Sequence, residues 1–208
     1  ERSFAGLESD RVVYVEYSNE VWNFIFEQAR WAQEKAEQLW GEGGDGWMQY
    51  YGLRASQVMQ IWSDVFGASA DQRLRRVVSV HTGWPGLEES VLLGENATAA
   101  LGSAPADHFD AYAVTGYFGY ELGEPDTLAE VLDNAQATAA QTGAVKGLSR
   151  VALREYVKEH QFDGVSEKAA TIVRNGTFRE LSEELWPYHA KVAKTAGLDL
   201  IMYEGGTH

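Results

Sequence analysis

Four short runs rich in β-branched and aromatic residues alternate with longer helical periods, and this alternation constrains the fold more than any other feature of the chain. The runs span residues 11–18, 75–82, 109–118 and 199–206. Strands that alternate with helices form βα units, and such units assemble into a parallel sheet. The pattern therefore predicts an α/β fold, and it fits either a doubly wound layer or part of a barrel.

Segments with the apolar spacing of helices lie between these runs. Apolar residues recur at spacings of three and four over residues 23–40, which predicts an amphipathic helix. Thr127 and Glu130 have the spacing of a capping box, and Thr177 and Glu180 have the same spacing. Each of the two threonines is therefore predicted to cap a helix.

Charge and residue usage exclude several classes of function. The chain has 31 acidic and 17 basic residues, a net charge of −14, and such a surface repels phosphate backbones and anionic membranes. It contains no cysteine, so a disulfide scaffold, a thiol nucleophile and a cysteine-ligated metal are excluded. No apolar run approaches the roughly 20 residues of a membrane span. We expect no nucleic-acid or membrane partner, no metal and no cofactor. The start at Glu1 rather than Met predicts a processed or truncated N-terminus.

Two glutamates stand at matched positions at the ends of strands. Glu20 follows the first run in YSNEVW, and Glu204 closes the fourth in MYEGG. The carboxyl ends of parallel strands meet at one edge, where barrel enzymes carry their active sites. Glycoside hydrolysis needs two converging carboxyl groups, one held protonated and one ionised. A single strand-end glutamate is more often a partner of a helix dipole, but the matched pair favours an active site.

The stretch EYSNEVWN resembles the Asn-Glu motif that ends the fourth strand in clan A glycoside hydrolases, which are (β/α)8 TIM barrels. The resemblance implies that Glu20 is the general acid/base and that Asn19 binds the 2-hydroxyl of the substrate. LIMYEGG looks like the seventh strand of the clan, which implies that Glu204 is the nucleophile of a retaining, double-displacement mechanism.

The resemblance covers essentially the whole chain but only half of a barrel. The four runs correspond to strands four to seven, and strands one to three and eight have no counterpart. Residues 1–208 are accordingly expected to form a partial barrel catalytic domain, with a possible helical insertion at about 120–198. We expect the remainder of the barrel, within a longer parent chain, to be needed for activity.

Three further residues are candidates for binding the substrate. The clan often places a histidine or an aromatic residue from its fifth and sixth strands around the nucleophile, which implies such positions for His81 and Tyr117. Trp84 follows a strand end, where a sugar ring could stack on the indole. The alternatives are a structural role for His81, an ordinary loop position for Tyr117 and core packing for Trp84. Tyr203 is expected to be wall or core rather than a catalyst.

The other titratable residues are expected to lie on the surface. His189 falls on the outer side of a predicted helix, and Glu88 and Glu89 form a solvated or first-turn acidic pair. None of the three is expected to take part in the site.

The resulting expectation is a secreted enzyme of polysaccharide degradation, extracellular or periplasmic, that cleaves a poly- or oligosaccharide. A non-catalytic carbohydrate-binding or scaffold protein on a barrel framework is the alternative. A barrel hydrolase or lyase with another substrate is a third hypothesis. The residues leave the sugar, the linkage and endo or exo action open.

Overall fold

The computed structural model describes residue 8 and residues 10–207, and strands alternate with helices as predicted. The strands are β1 (Val13–Glu16), β2 (Leu74–Ser79), β3 (Ala111–Phe118) and β4 (Asp199–Thr207). The longer helices are α1 (Glu27–Trp40), α2 (Gly46–Phe66), α3 (Leu87–Leu93), α4 (Glu95–Leu101), α5 (Pro125–Val145), α6 (Arg150–His160), α7 (Val165–Asn175) and α8 (Trp186–Ala196). Single helical turns are Gly67–Ser69, Ala70–Arg73, Pro105–His108, Tyr120–Gly123 and Thr177–Glu180, and Leu181–Leu185 is a π-helical segment.

The four strands form one parallel sheet in the order β1-β2-β3-β4. Glu16 lies opposite Val77 on β2, and Ser79 lies opposite Ala113 on β3. A doubly wound sheet reverses its strand order at a switch point, whereas this sheet keeps the order of the chain. The sheet curls like half of a barrel, which confirms the α/β prediction at that level.

The two faces of the sheet carry side chains of different size. One face packs on the helices, and its buried members include Val78, Val80, Tyr112 and Val114 together with Met48 and Met59 of α2. The concave face has the smaller alanines Ala111 and Ala113, packed with Val77 and Ile201. Space is therefore left on the concave face between the outer strands.

Three predicted helix starts differ from the structure. The helix predicted over 23–40 begins at Glu27, because residues 23–26 form turns after the first strand. Thr127 does not cap α5, which begins two residues earlier at Pro125, where a missing N–H costs nothing. Thr177 is the first residue of its helical turn rather than the cap before it. Both capping-box predictions are therefore wrong.

The chain divides into two compact units. The first unit runs to residue 115 and includes residues 185–204. The second unit comprises residues 116–184 with the residues after 204. Inside the second unit, the Glu121 carboxylate accepts hydrogen bonds from the backbone N–H and the hydroxyl of Thr177. This pair ties the turn after β3 to the start of the Thr177–Glu180 turn.

His189 is fully buried on α8, so its predicted surface position is wrong. Its Nε2 donates to the carbonyl oxygen of Thr82 at 2.8 Å, and in neutral imidazole Nδ1 then accepts from the Tyr112 hydroxyl at 2.8 Å. The Thr82 hydroxyl in turn accepts from the backbone N–H of Thr115 at 2.7 Å. These bonds anchor the loop after β2 from inside the core.

Glu88 and Glu89 form a first-turn acidic pair on α3, one of the two predicted alternatives, but Glu88 is buried, at 3% exposure, rather than solvated. Its carboxylate accepts from the Tyr188 hydroxyl and from the backbone N–H of Gly86. Glu89 is exposed as expected. The carboxylate of Glu88 therefore joins α3 to α8 instead of facing water.

Tyr112→Phe removes the hydroxyl that bonds to His189 and so tests the hydrogen bonds that hold the loop after β2. We expect a loss of about 1–3 kcal/mol in the free energy of unfolding, because the change leaves a buried imidazole nitrogen without its donor. Urea unfolding would measure it. As the control, Tyr14→Phe changes a ring that is 60% exposed and should shift stability by less than about 0.5 kcal/mol. Equal effects of the two variants would contradict this role of the hydrogen bond.

Candidate active site

Glu20 stands in a strained loop directly after β1. Ser18 and Glu20 have φ angles of 65° and 46°, the left-handed region that residues with side chains rarely adopt. Such strain concentrates at functional sites. Asn23 holds the loop, since its side-chain amide donates to Glu20 Oε2 at 2.9 Å and its backbone N–H to the Glu20 carbonyl at 2.9 Å. The Glu20 carboxyl group is thus fixed by a neutral donor.

Asn19 precedes Glu20 with its side chain exposed. Its carbonyl oxygen accepts from the side-chain amide of Gln28 at 2.7 Å, so α1 fixes the backbone of the loop. The Asn19 amide itself faces solvent beside Glu20, where a substrate hydroxyl could reach it.

Glu204 lies on β4, at the opposite edge of the sheet from Glu20. The charges of Glu20 and Glu204 both affect the pKa of Tyr203, which is adjacent to Glu204. Burial raises the pKa of Tyr203 well above its ordinary range, and the charges of Glu20, Glu16 and Glu204 raise it further. The charges of both predicted glutamates therefore act on one hydroxyl, although neither glutamate lines the cavity on the concave face of the sheet. That hydroxyl is buried and has no hydrogen-bond partner among the described residues.

Glu16, the last residue of β1, is a third carboxyl group that sequence reasoning missed. It accepts a hydrogen bond from the Ser79 hydroxyl, and the Ser79 backbone N–H donates to the Tyr51 hydroxyl at 3.3 Å. Burial raises the pKa of Glu16, the Ser79 hydrogen bond opposes that rise, and the charge of Glu204 adds to it. The only signal in the sequence was an acidic residue inside the apolar run VVYVEY.

An open cavity of about 410 Å³ lies on the concave face of the sheet, within the size range of ligand sites. It is lined by Tyr14, Glu16, Val77, Ile201, Met202 and Tyr203. The lining comes from β1, β2 and β4, so the curl of the sheet creates the cavity. Its polar groups are concentrated at the ends of the strands, where Glu16 and Tyr203 meet.

The other predicted residues fall in different places. His81 is exposed just after β2, and its ring makes an edge contact at 6.4 Å with the buried Trp22. Trp84 follows in the same loop and is 49% exposed. Tyr117 lies on β3 within the second unit, and its ring is 38% exposed. The ends of β1 and β2 thus carry Asn19, Glu20, His81 and Trp84 in one compact unit.

No protein-family model matches the chain, and no curated protein or solved structure matches it either. The described residues include no group of three or more His, Cys, Asp or Glu side chains that could hold a metal ion. Within the same part of the chain, no helix is long and apolar enough to cross a membrane. Any functional assignment therefore rests on the residues and geometry of the site.

Glu16→Gln tests whether this carboxyl group is held uncharged by its surroundings. A carboxyl group whose pKa is raised by folding contributes stability below its unfolded pKa of about 4.3, and that contribution is lost as the pH rises through the raised value. Glutamine keeps an acceptor for Ser79 and cannot ionise. We therefore expect the variant to gain stability relative to the parent protein as the pH rises from about 4 to 8.

Urea unfolding at several pH values measures this difference. Glu34→Gln, at an exposed position of α1, is the matched control and should show no such trend. A stability difference for Glu16→Gln that stays constant with pH would contradict the burial of an ionisable carboxyl group.

Proposed function

We propose that the chain carries the catalytic centre of a retaining glycoside hydrolase of the clan A type, acting on a poly- or oligosaccharide. One observation carries the proposal. Glu20 and Glu204 come from opposite edges of the sheet, yet the charges of both act on the buried hydroxyl of Tyr203. Two carboxyl groups converging on a cleft are what double displacement requires.

In the proposed first step, Glu204 attacks the anomeric carbon while Glu20 gives its proton to the leaving oxygen. The glycosidic C–O bond breaks as the bond to the Glu204 carboxylate forms. In the second step, Glu20 takes a proton from water, the water oxygen attacks the same carbon, and Glu204 leaves. The exposed amide of Asn19 binds the neighbouring 2-hydroxyl, a contact that accelerates the reaction if it strengthens in the transition state.

The assignment of acid and nucleophile fits the local environments. Glu20 accepts a hydrogen bond from the neutral amide of Asn23, which fixes the orientation of its carboxyl group. Glu204 is exposed on β4, open to a substrate. His81 and Trp84, beyond β2, would contact the sugar beside the point of cleavage.

A closed barrel is part of the proposal. β1 and β4 are the outer strands of a curled parallel sheet, and outer strands present backbone groups that must be paired or protected. Four more strands, from the remainder of a longer parent chain, would pair both edges and complete a (β/α)8 barrel. A polysaccharide substrate would place such an enzyme outside the cytoplasm, in the extracellular or periplasmic space.

Glu204→Ala and Glu20→Ala test the two roles on an aryl glycoside with a good leaving group. Glu204→Ala should lose more than about 10³-fold in kcat/KM, because no glycosyl-enzyme can form. Added azide should then attack the anomeric carbon directly and give a glycosyl azide of inverted configuration. In Glu20→Ala, azide should attack the glycosyl-enzyme instead and give the retained configuration. Proton NMR of the products distinguishes the two.

Glu34→Ala, on the exposed side of α1, is the control and should keep the parent rate. Near-parental rates for Glu204→Ala would show that Glu204 is not the nucleophile. Since the proposal includes a closed barrel, the rates are measured on the completed barrel. A completed barrel that binds sugars but hydrolyses none of them would instead favour the non-catalytic carbohydrate-binding alternative.

A further inference from the structure

A side-chain hydrogen bond joins the end of β1 to β2 beyond the last backbone pair of the two strands. Glu16 closes β1 opposite Val77. Its carboxyl group accepts a hydrogen bond from the hydroxyl of Ser79, two residues further along β2. The side-chain bond therefore extends the connection between the strands to the place where the chain leaves the sheet.

Ser79 is itself fixed from the helix layer. Its side chain is fully buried, and its backbone N–H donates to the hydroxyl of Tyr51 on α2 at 3.3 Å. The Tyr51 hydroxyl also lies 3.4 Å from Ser79 Oγ, and its ring stacks on that of Tyr17 with the centroids 6.5 Å apart. An ionised Glu16 only accepts, so Ser79 donates to it and Tyr51 is left as the donor to Ser79. We call Glu16, Ser79 and Tyr51 the strand-end cluster.

The strand-end cluster holds the start of the strained loop that carries Glu20. Ser18 and Glu20 both have left-handed φ angles, and such residues persist only where the surrounding contacts over-determine their conformation. At the far end of the loop, the Asn23 amide bonds to Glu20, and Gln28 of α1 bonds to the loop backbone. At the near end, the chain enters the loop directly from Glu16. The cluster therefore supplies a restraint that Asn23 and Gln28 do not.

We propose that the strand-end cluster is a positioning device for Glu20, the general acid of the proposed function. The inference rests on that function and adds Glu16 and Ser79 to it as positioning residues, which act through the loop and not on the substrate. Proton donation requires an acid oxygen within about 2.6–3.2 Å of the leaving oxygen. A displacement of about 1 Å can cost about 10²-fold in rate. Restraint at both ends of the loop prevents such a displacement.

The dependence of the rate on the leaving group tests this role in the completed barrel. The probes are a 2,4-dinitrophenyl glycoside, whose departure needs little proton donation, and the phenyl glycoside of the same sugar, whose departure needs the acid. Ser79→Ala and Glu16→Ala should lower kcat/KM about 10²-fold for the phenyl glycoside and less than about threefold for the dinitrophenyl glycoside. Glu16→Gln keeps an acceptor for Ser79, so it should retain the parent ratio of the two rates.

Ser56→Ala is the matched control, because Ser56 is another fully buried serine and donates to the Gly52 carbonyl within α2. It should leave the ratio of the two rates at the parent value, as should any variant that only lowers the folded fraction. If Ser79→Ala lowers both rates equally, the role of Ser79 is stability alone and the inference is overturned. A Glu16→Gln variant whose ratio falls as far as that of Glu16→Ala would also overturn it.

Amide hydrogen exchange gives a readout that needs no hydrolysis. The backbone N–H of Asn23 donates to the Glu20 carbonyl at 2.9 Å, so its exchange reports the order of the loop. In Ser79→Ala this hydrogen should exchange about tenfold faster than in the parent, and in Ser56→Ala at the parent rate. Unchanged exchange in Ser79→Ala would contradict the positioning role. A completed barrel that hydrolyses neither glycoside would refute the proposed function, and the exchange rates alone would then decide whether the strand-end cluster orders the loop.

Discussion

The curl of the parallel sheet is the constraint on which the rest of the site depends. Strands follow one another in chain order, so β1 and β4 are at opposite edges and would be well separated in a flat sheet. Bulky side chains such as Tyr112 and Val114 occupy the helix-facing side, whereas Ala111 and Ala113 occupy the concave side. The cavity between the outer strands lies on the face with the smaller side chains. Only the curl lets Tyr203 on β4 be affected by carboxyl groups at the end of β1.

Burial raises the pKa of Glu16, and the charge of Glu204 raises it further. Like charges at close range disfavour simultaneous ionisation, and burial adds to that effect for Glu16. Separation of protonation states among neighbouring carboxyl groups is the condition for acid and nucleophile to coexist at one pH. Burial, and then the charges of the three carboxyl groups, raise the pKa of the Tyr203 hydroxyl, which has no hydrogen-bond partner among the described residues.

Residue patterns predicted the four strands because each signal is local. The prediction that both glutamates stand at strand ends was wrong for Glu204, since β4 continues to Thr207, while Glu20 lies in the loop after β1. The errors came from partners that are distant along the chain. His189 fits a helix surface by its spacing, but its partner Tyr112 is 77 residues away. Glu88 fits a helix start, yet Tyr188 buries its carboxylate. The helix predicted to start after Thr127 begins at Pro125 instead, because the fixed φ angle of proline favours the first helical position. Glu16 was missed because alternation along a four-residue strand does not show which face is concave.

Hydrogen bonds from the core fix the backbone of the loop after β2, while the neighbouring side chains of that loop remain exposed. Thr82 is held through its hydroxyl by the Thr115 N–H and through its carbonyl by His189, while its neighbours His81 and Trp84 reach solvent. Ordering a mobile aromatic side chain on binding costs about 0.5–1.5 kcal/mol, which is comparable to the gain from stacking one ring. A loop already fixed by core hydrogen bonds avoids much of that cost. Breaking the anchor should therefore loosen the loop that carries His81 and Trp84 as well as lower stability, although Tyr112 and His189 are themselves buried.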